Sequence, residues 1–155
     1  MTEPYHVISA CITLAGASQI VDVALRHGRE LALPPLTAAV LDSAGRLVAL
    51  KREDGSSLLR PDIAQAKAFG ALAMGTGSRA LSERAQSHPA FINAVTILAG
   101  GNLVPVPGGV LILDAQRNLL GAAGVSGALP DQDEACVIAG IATCGFIAET
   151  GSPHH

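Results

Sequence analysis

The sequence predicts a single α/β domain of the α+β kind: about five strands in a mainly antiparallel sheet, with helices packed against it. Three observations carry this reading. The chain has 155 residues, of which 49% are hydrophobic and 15% charged, enough apolar material for one sizeable core. Its strand-like segments are joined by short polar turns, so hairpins dominate. Segments with helical periodicity stand before, between and after them. No linker, low-complexity stretch or internal repeat interrupts the chain, so one domain is expected over residues 1–155.

Each element has a local reason. Between Thr13 and Leu33, the residues Leu14, Ala17, Val21, Ala24, Gly28 and Leu31 form one helical stripe. Thr13 is the expected N-cap, and Pro34-Pro35 the stop. Leu36 to Leu41 reads as a buried strand, Asp42-Ser43-Ala44-Gly45 as a turn, and Leu47 to Leu50 as the returning strand. Pro61 suits the first turn of a helix running to about Met74, which Gly75 to Gly77 breaks. Ser78 to Gln86 and Pro89 to Leu98 read as shorter helices. Strands are predicted at Leu103 to Val106, Gly109 to Leu113 and Leu119 to Val125, the last two joined by a turn over residues 114–118. A final helix is expected from about Asp131 to Glu149, with Ala135, Ile138, Ala142 and Phe146 inward and Val137, Ile141 and Cys144 beside them.

Composition excludes several partners. Net charge is −3, aromatics are 3%, and no Lys/Arg cluster tracks a phosphate backbone, which argues against nucleic acid. No apolar run reaches the ~18 residues of a membrane span. The start, Met1 to His6, carries Glu3 and no basic segment, so no signal peptide is expected. Cys11, Cys136 and Cys144 show no Cys-x-x-Cys spacing; they read as small hydrophobes in a reducing, cytoplasmic setting. The scarcity of charge predicts that apolar surface is covered between copies of the chain, giving a homo-oligomer. His154-His155 is left out of the site reading.

Three segments, in order, carry a resemblance. The first is Ala39-Val40-Leu41-Asp42-Ser43-Ala44-Gly45-Arg46-Leu47-Val48-Ala49 followed by Arg52, Asp54 and Gly55. The second is Asp62-Ile63-Ala64-Gln65-Ala66-Lys67-Ala68. The third is Pro107-Gly108-Gly109-Val110, then Gly121-Ala122-Ala123-Gly124-Val125-Ser126-Gly127, then Asp131, Asp133 and Glu134. Together they resemble the GlcG/HbpS family, which includes the C-terminal domain of PduO-type proteins, from about Thr13 to Glu149. The resemblance implies a profilin-like sandwich and homo-oligomers. It also implies haem as a candidate ligand, since some members bind it; others are linked to cobalamin or glycolate operons. The chain departs from the family pattern at Ala68-Phe69-Gly70-Ala71 and at Arg60-Pro61, where a small hydroxyl residue is common. Both departures lie beside the expected pocket, and Phe69 joins the candidate ligand-binding residues.

Lys67 is the most informative residue. On a helix it shares a face with Ile63, Gly70, Ala71 and Met74, and a lysine in an apolar stripe must snorkel or meet an anion. Arg60, two turns earlier, falls near the same face, and two cations there suit a carboxylate, a phosphate or a haem propionate. The structural alternative pairs Lys67 with an internal carboxylate such as Asp42 or Glu134. Gly108, Gly109, Gly124 and Gly127 end strands, where they either make tight turns or let a ligand approach the backbone, with Ser126 adding a hydroxyl. They match neither a phosphate-binding loop nor a dinucleotide fingerprint. Asp131 and Glu134 suit a capping box, and Glu134 is also a candidate general base or counter-ion to Lys67. Asp42 reads as a turn residue. His6, His27 and His88 are scattered, so no metal site is expected. For a haem iron, His27, His88, Met74 or a surface hydroxyl are the candidate ligands.

Two function classes follow. The favoured one is a non-catalytic protein that binds an anionic small molecule, haem included. The other is a cofactor-independent enzyme (isomerase, lyase or hydrolase) acting on a carboxylate-bearing metabolite. In it Arg60 anchors the carboxylate, and Lys67 acts as electrophile or acid/base beside Ser126 and Glu134.

Overall fold

A computed structural model describes residues 11–153. The N-terminal segment read for a signal peptide, His6 and His154-His155 lie outside them. The elements run α1 (Leu14–Glu30), β1 (Thr37–Asp42), β2 (Leu47–Arg52), α2 (Arg60–Met74), α3 (Ser78–Ser87), α4 (Pro89–Leu98), β3 (Gly109–Leu113), β4 (Leu119–Ser126), α5 (Pro130–Thr143) and β5 (Ile147–Glu149). The strands form one sheet in the order β2-β1-β4-β3-β5, and every neighbouring pair is antiparallel. The expected five-stranded antiparallel architecture is therefore present.

Helices α1 and α5 cover one face of the sheet and α2 the other. Strand alternation divides the core accordingly. Ala38, Val40, Val110, Ile112, Ala123 and Val125 pack with Ile20, Val21, Val137 and Ile141 of α1 and α5. Leu41, Leu111, Leu113 and Ala122 pack with Ala68 and Ala71 of α2.

Five local expectations are corrected. Leu103 to Val106 is not a strand. Pro105 and Pro107 remove two ladder donors, and the Val106 N–H bonds back to the Val104 carbonyl at 2.9 Å in a tight turn. The fifth strand is instead β5, inside the segment read as helix. There α5 ends because Gly145 takes φ +79°, and the Phe146 and Gly145 amides bond the Ile141 and Ala142 carbonyls at 3.2 and 3.0 Å. The inward face of α5 carries Cys136, Val137, Gly140 and Ile141, while Ala142 is exposed. Helix α1 closes before the prolines: Ala32 adopts φ +54° and the Leu33 amide reaches the Gly28 carbonyl at 3.0 Å. The predicted stripe also overreaches, since Leu14 and Leu31 are exposed.

Candidate functional site

The site is set by how closely α2 lies on the sheet. Gly109 and Gly124 face each other across β3 and β4. A Cβ on Gly124 would stand 2.0 Å from the Ala64 carbonyl oxygen, and one on Gly109 would stand 2.1 Å from that of Lys67. The two glycines thus hold a turn of α2 against the sheet. Gly108 faces the Lys67 ammonium and Asp133, and Gly127 faces the Pro35 carbonyl.

Lys67 runs from α2 toward the first turn of α5. It is 3% exposed, and its Nζ donates to Asp133 Oδ2 at 2.9 Å and to the Val125 carbonyl at 3.1 Å. Asp133, 1% exposed, accepts the Ala128 amide on its other oxygen at 2.9 Å. Burial pushes the Lys67 ammonium below its usual range and the Asp133 carboxyl above its own; each partner's charge opposes the shift. The internal counter-ion of Lys67 is therefore Asp133, not Asp42 or Glu134.

Glu134 belongs to a second cluster. Arg79, near the start of α3, donates through Nε to both Glu134 oxygens at 3.2 and 3.1 Å, and through Nη2 to Asp131 at 2.6 Å. These bonds hold the Arg79 guanidinium firmly in its charged form. Asp131 does not cap α5, and Glu134 completes no box with it. The helix begins at Pro130, with the Leu129 amide bonded to Gln132 Oε1 at 3.2 Å. Asp42 folds its own turn, accepting the Ala44 and Arg46 amides at 2.9 and 3.0 Å.

Arg60 opens α2 at the end of the sheet. Its Nη1 donates to Ser126 Oγ at 3.1 Å and its Nε to Ser57 Oγ at 3.2 Å. Ser126 pairs with Thr37 across the ladder, and Thr37 Oγ1 meets Ser56 Oγ at 2.9 Å. None of the ion pairs among the described residues includes Arg60. The result is a half-buried guanidinium above two buried hydroxyl residues, aimed by hydroxyls and with no carboxylate within ion-pair distance, although its charge is felt by Asp133 and Lys67. Two cavities flank this end of the sheet, neither with Arg60 in its lining. One, of about 470 Å³, is lined by Arg52, Glu53 and Pro35. The other, of about 480 Å³, is lined by Arg79, Pro107 and Leu129.

The remaining candidates lie elsewhere. Phe69 packs on the Gly45 turn, at the far end of β1 from Thr37. His27 faces Glu30 at 3.8 Å, and His88 is exposed with its Nδ1 against Ser87 Oγ at 2.9 Å. Sequence reasoning missed Asp133 as the partner of Lys67, as well as Arg79 and Ser78, whose hydroxyl accepts the Gly109 amide at 2.8 Å. The signal for Asp133 was present: it stands four residues before Val137 and eight before Ile141, in phase with the buried face of α5.

Fold and site together define a class: a small α+β sandwich in which an internal ion pair links helices on opposite faces and a serine-held arginine marks one end of the sheet. Residues 12–142 match the HbpS-like family, described as haem degrading protein HbpS-like, and the chain belongs to that family. Solved structures share the fold. The PduOC protein, crystallised as a haem complex, aligns over 92% of this chain and 99% of its own with a TM-score of 0.80 at 22% identity. HbpS aligns over 89% and 93% with a TM-score of 0.75 at 24% identity. The ORFY protein of Klebsiella pneumoniae aligns over 94% and 97% with a TM-score of 0.79 at 22% identity. No curated protein matches the chain.

Proposed function

We propose that this protein binds an anionic small molecule at the Arg60 end of the sheet, with haem the first ligand to test. The observation that carries this is the guanidinium of Arg60, held by Ser57 and Ser126 and without a carboxylate partner among the described residues. A fixed guanidinium with free donors is the group that recognises a carboxylate in two-point fashion. Family membership and the haem complex of the PduOC protein support haem, whose propionates supply that carboxylate. Lys67 and Glu134 favour binding over turnover: both are buried and held in ion pairs, so neither stands open as an acid or base.

Haemin titration followed by absorbance tests the reading. One equivalent with a sharp Soret band is expected, with at least tenfold weaker binding in Arg60→Gln. Non-stoichiometric binding, indifferent to that substitution, would overturn it. Replacing His27 or His88 then asks whether either ligates the iron.

We further propose that copies of the chain associate through α4. That helix buries only Ile92 while Phe91, Ile97 and Leu98 are exposed, more apolar surface than a helix facing water usually shows. A monomer mass in light scattering would refute this. The free cysteines suit a reducing cytoplasm. Among the described residues no helix is long and apolar enough to cross a membrane.

A further inference from the structure

The cavity of about 470 Å³ beside β2 is a site of a different kind from the Arg60 cradle. Leu25 and Pro35 give it an apolar wall, and its other lining groups are charged. Most of those charges are already engaged. Arg29 pairs with Glu53 at 3.0 Å and donates to the Pro34 carbonyl at 2.8 Å. Glu53 also accepts the Leu36 amide at 2.7 Å. Lys51 pairs with Asp22 at 2.7 Å. Arg52 and Asp54 remain, one of each sign. Both are exposed, and neither enters an ion pair among the described residues.

These two residues stand two positions apart and form no ion pair with each other, and the backbone that carries them is anchored. Arg52 is fixed opposite Thr37 in the last pair of the β1–β2 ladder. Asp54 sits on a turn anchored at three places. The Glu53 amide bonds the Leu36 carbonyl at 2.9 Å, the Ser56 amide bonds the Glu53 carbonyl at 3.0 Å, and the Ser56 hydroxyl meets Thr37 at 2.9 Å. A guanidinium and a carboxylate are thus presented by rigid backbone to one cavity.

We propose that this cavity binds a zwitterionic small molecule of the α-amino acid class, with Arg52 taking the carboxylate, Asp54 the ammonium and the Leu25–Pro35 wall an aliphatic side chain. A simple anion would satisfy Arg52 but meet Asp54 as a like charge; a simple cation has the converse difficulty. A ligand carrying both charges satisfies both residues.

The test is titration calorimetry on the full chain at low ionic strength, where exposed charges are least screened. The probes are L-leucine, its methyl ester, which keeps only the ammonium, and N-acetyl-L-leucine, which keeps only the carboxylate. L-Leucine is expected to bind at one site per chain, and each analogue at least tenfold more weakly. Arg52→Gln should reduce L-leucine to the level of the ester, and Asp54→Asn to that of the acetylated form. Arg84→Gln, on α3 and outside this cavity, should leave all three affinities unchanged. Equal binding of the three probes, no saturable heat with L-leucine, or wild-type affinity in both variants would overturn the proposal.

Discussion

Helix α2 carries two cations that meet different fates. Arg60 lies at its first turn and Lys67 two turns on. Lys67 is enclosed and bound to Asp133, so its charge belongs to the fold. Arg60 is half-buried and held by serine hydroxyls, which orient it without neutralising it. The difference is one of depth. Where α2 is pressed onto Gly109 and Gly124, water is excluded and a charge needs an internal partner. Where the helix emerges at the sheet end, the same charge type stays available. A cationic stripe read from sequence is therefore not one binding surface.

Substitutions can break that contrast. The largest effect is expected from Lys67→Met, which strands Asp133 in the interior and should cost about 3–5 kcal/mol in urea unfolding. The double variant Lys67→Met with Asp133→Leu should recover most of the loss, because no lone charge is left. If the single and double variants unfold alike, the pair is not what Lys67 contributes. Next comes Gly124→Ala, whose methyl must displace the Ala64 carbonyl; a loss of about 3 kcal/mol is expected, read as a lower melting temperature. An unchanged melting temperature would mean that α2 is not held by the sheet glycines.

Cys136 extends the rule of depth to a group outside the ion pairs, whose burial outweighs the opposing pull of the Arg29 charge. Burial pushes its thiol from 9.0 up to about 11. The folded state then holds a proton that the unfolded state releases, so this contribution is complete below pH 9 and lost as pH rises through 11. The expected alkaline loss is about 2–3 kcal/mol by linkage, and Cys136→Ala should flatten it. In the native protein Cys136 should also resist iodoacetamide at pH 8. The smallest effect on stability belongs to Arg60→Gln, about 1 kcal/mol, because the exposed Ser57 bond matters little and only the buried Ser126 hydroxyl loses its donor. Its effect on ligand affinity is the sharp one. A variant that melts early yet binds normally would reverse the roles of the two cations.

Much of the fold was legible because its determinants are local. Thr13 does accept the Gly16 amide at 3.1 Å, and the Asp42 turn forms as its composition suggests. The misread segments were those where apolar content outweighed punctuation. Leu103 to Val106 is apolar enough for a strand, but Pro105 and Pro107 forbid one. Gly145 ended α5, although apolar residues continue past it. The site was harder to read, because pairing is a property of three dimensions. Lys67 was recognisable as anomalous, but Asp133, Glu134 and Asp131 crowd one helical turn, and spacing does not say which of them faces α2. Only the phase of Asp133 with Val137 and Ile141 distinguishes it.

The paired glycines of β3 and β4 have one more consequence. They act as a detent for α2, fixing how far the helix is rotated and how far it is slid along the sheet. Whatever side chain occupies position 60 is then delivered to the same point above Ser126, whether or not it binds anything there. Ligand preference in such a scaffold can be rewritten by exchanging a single residue at the helix mouth, while the frame beneath keeps its alignment.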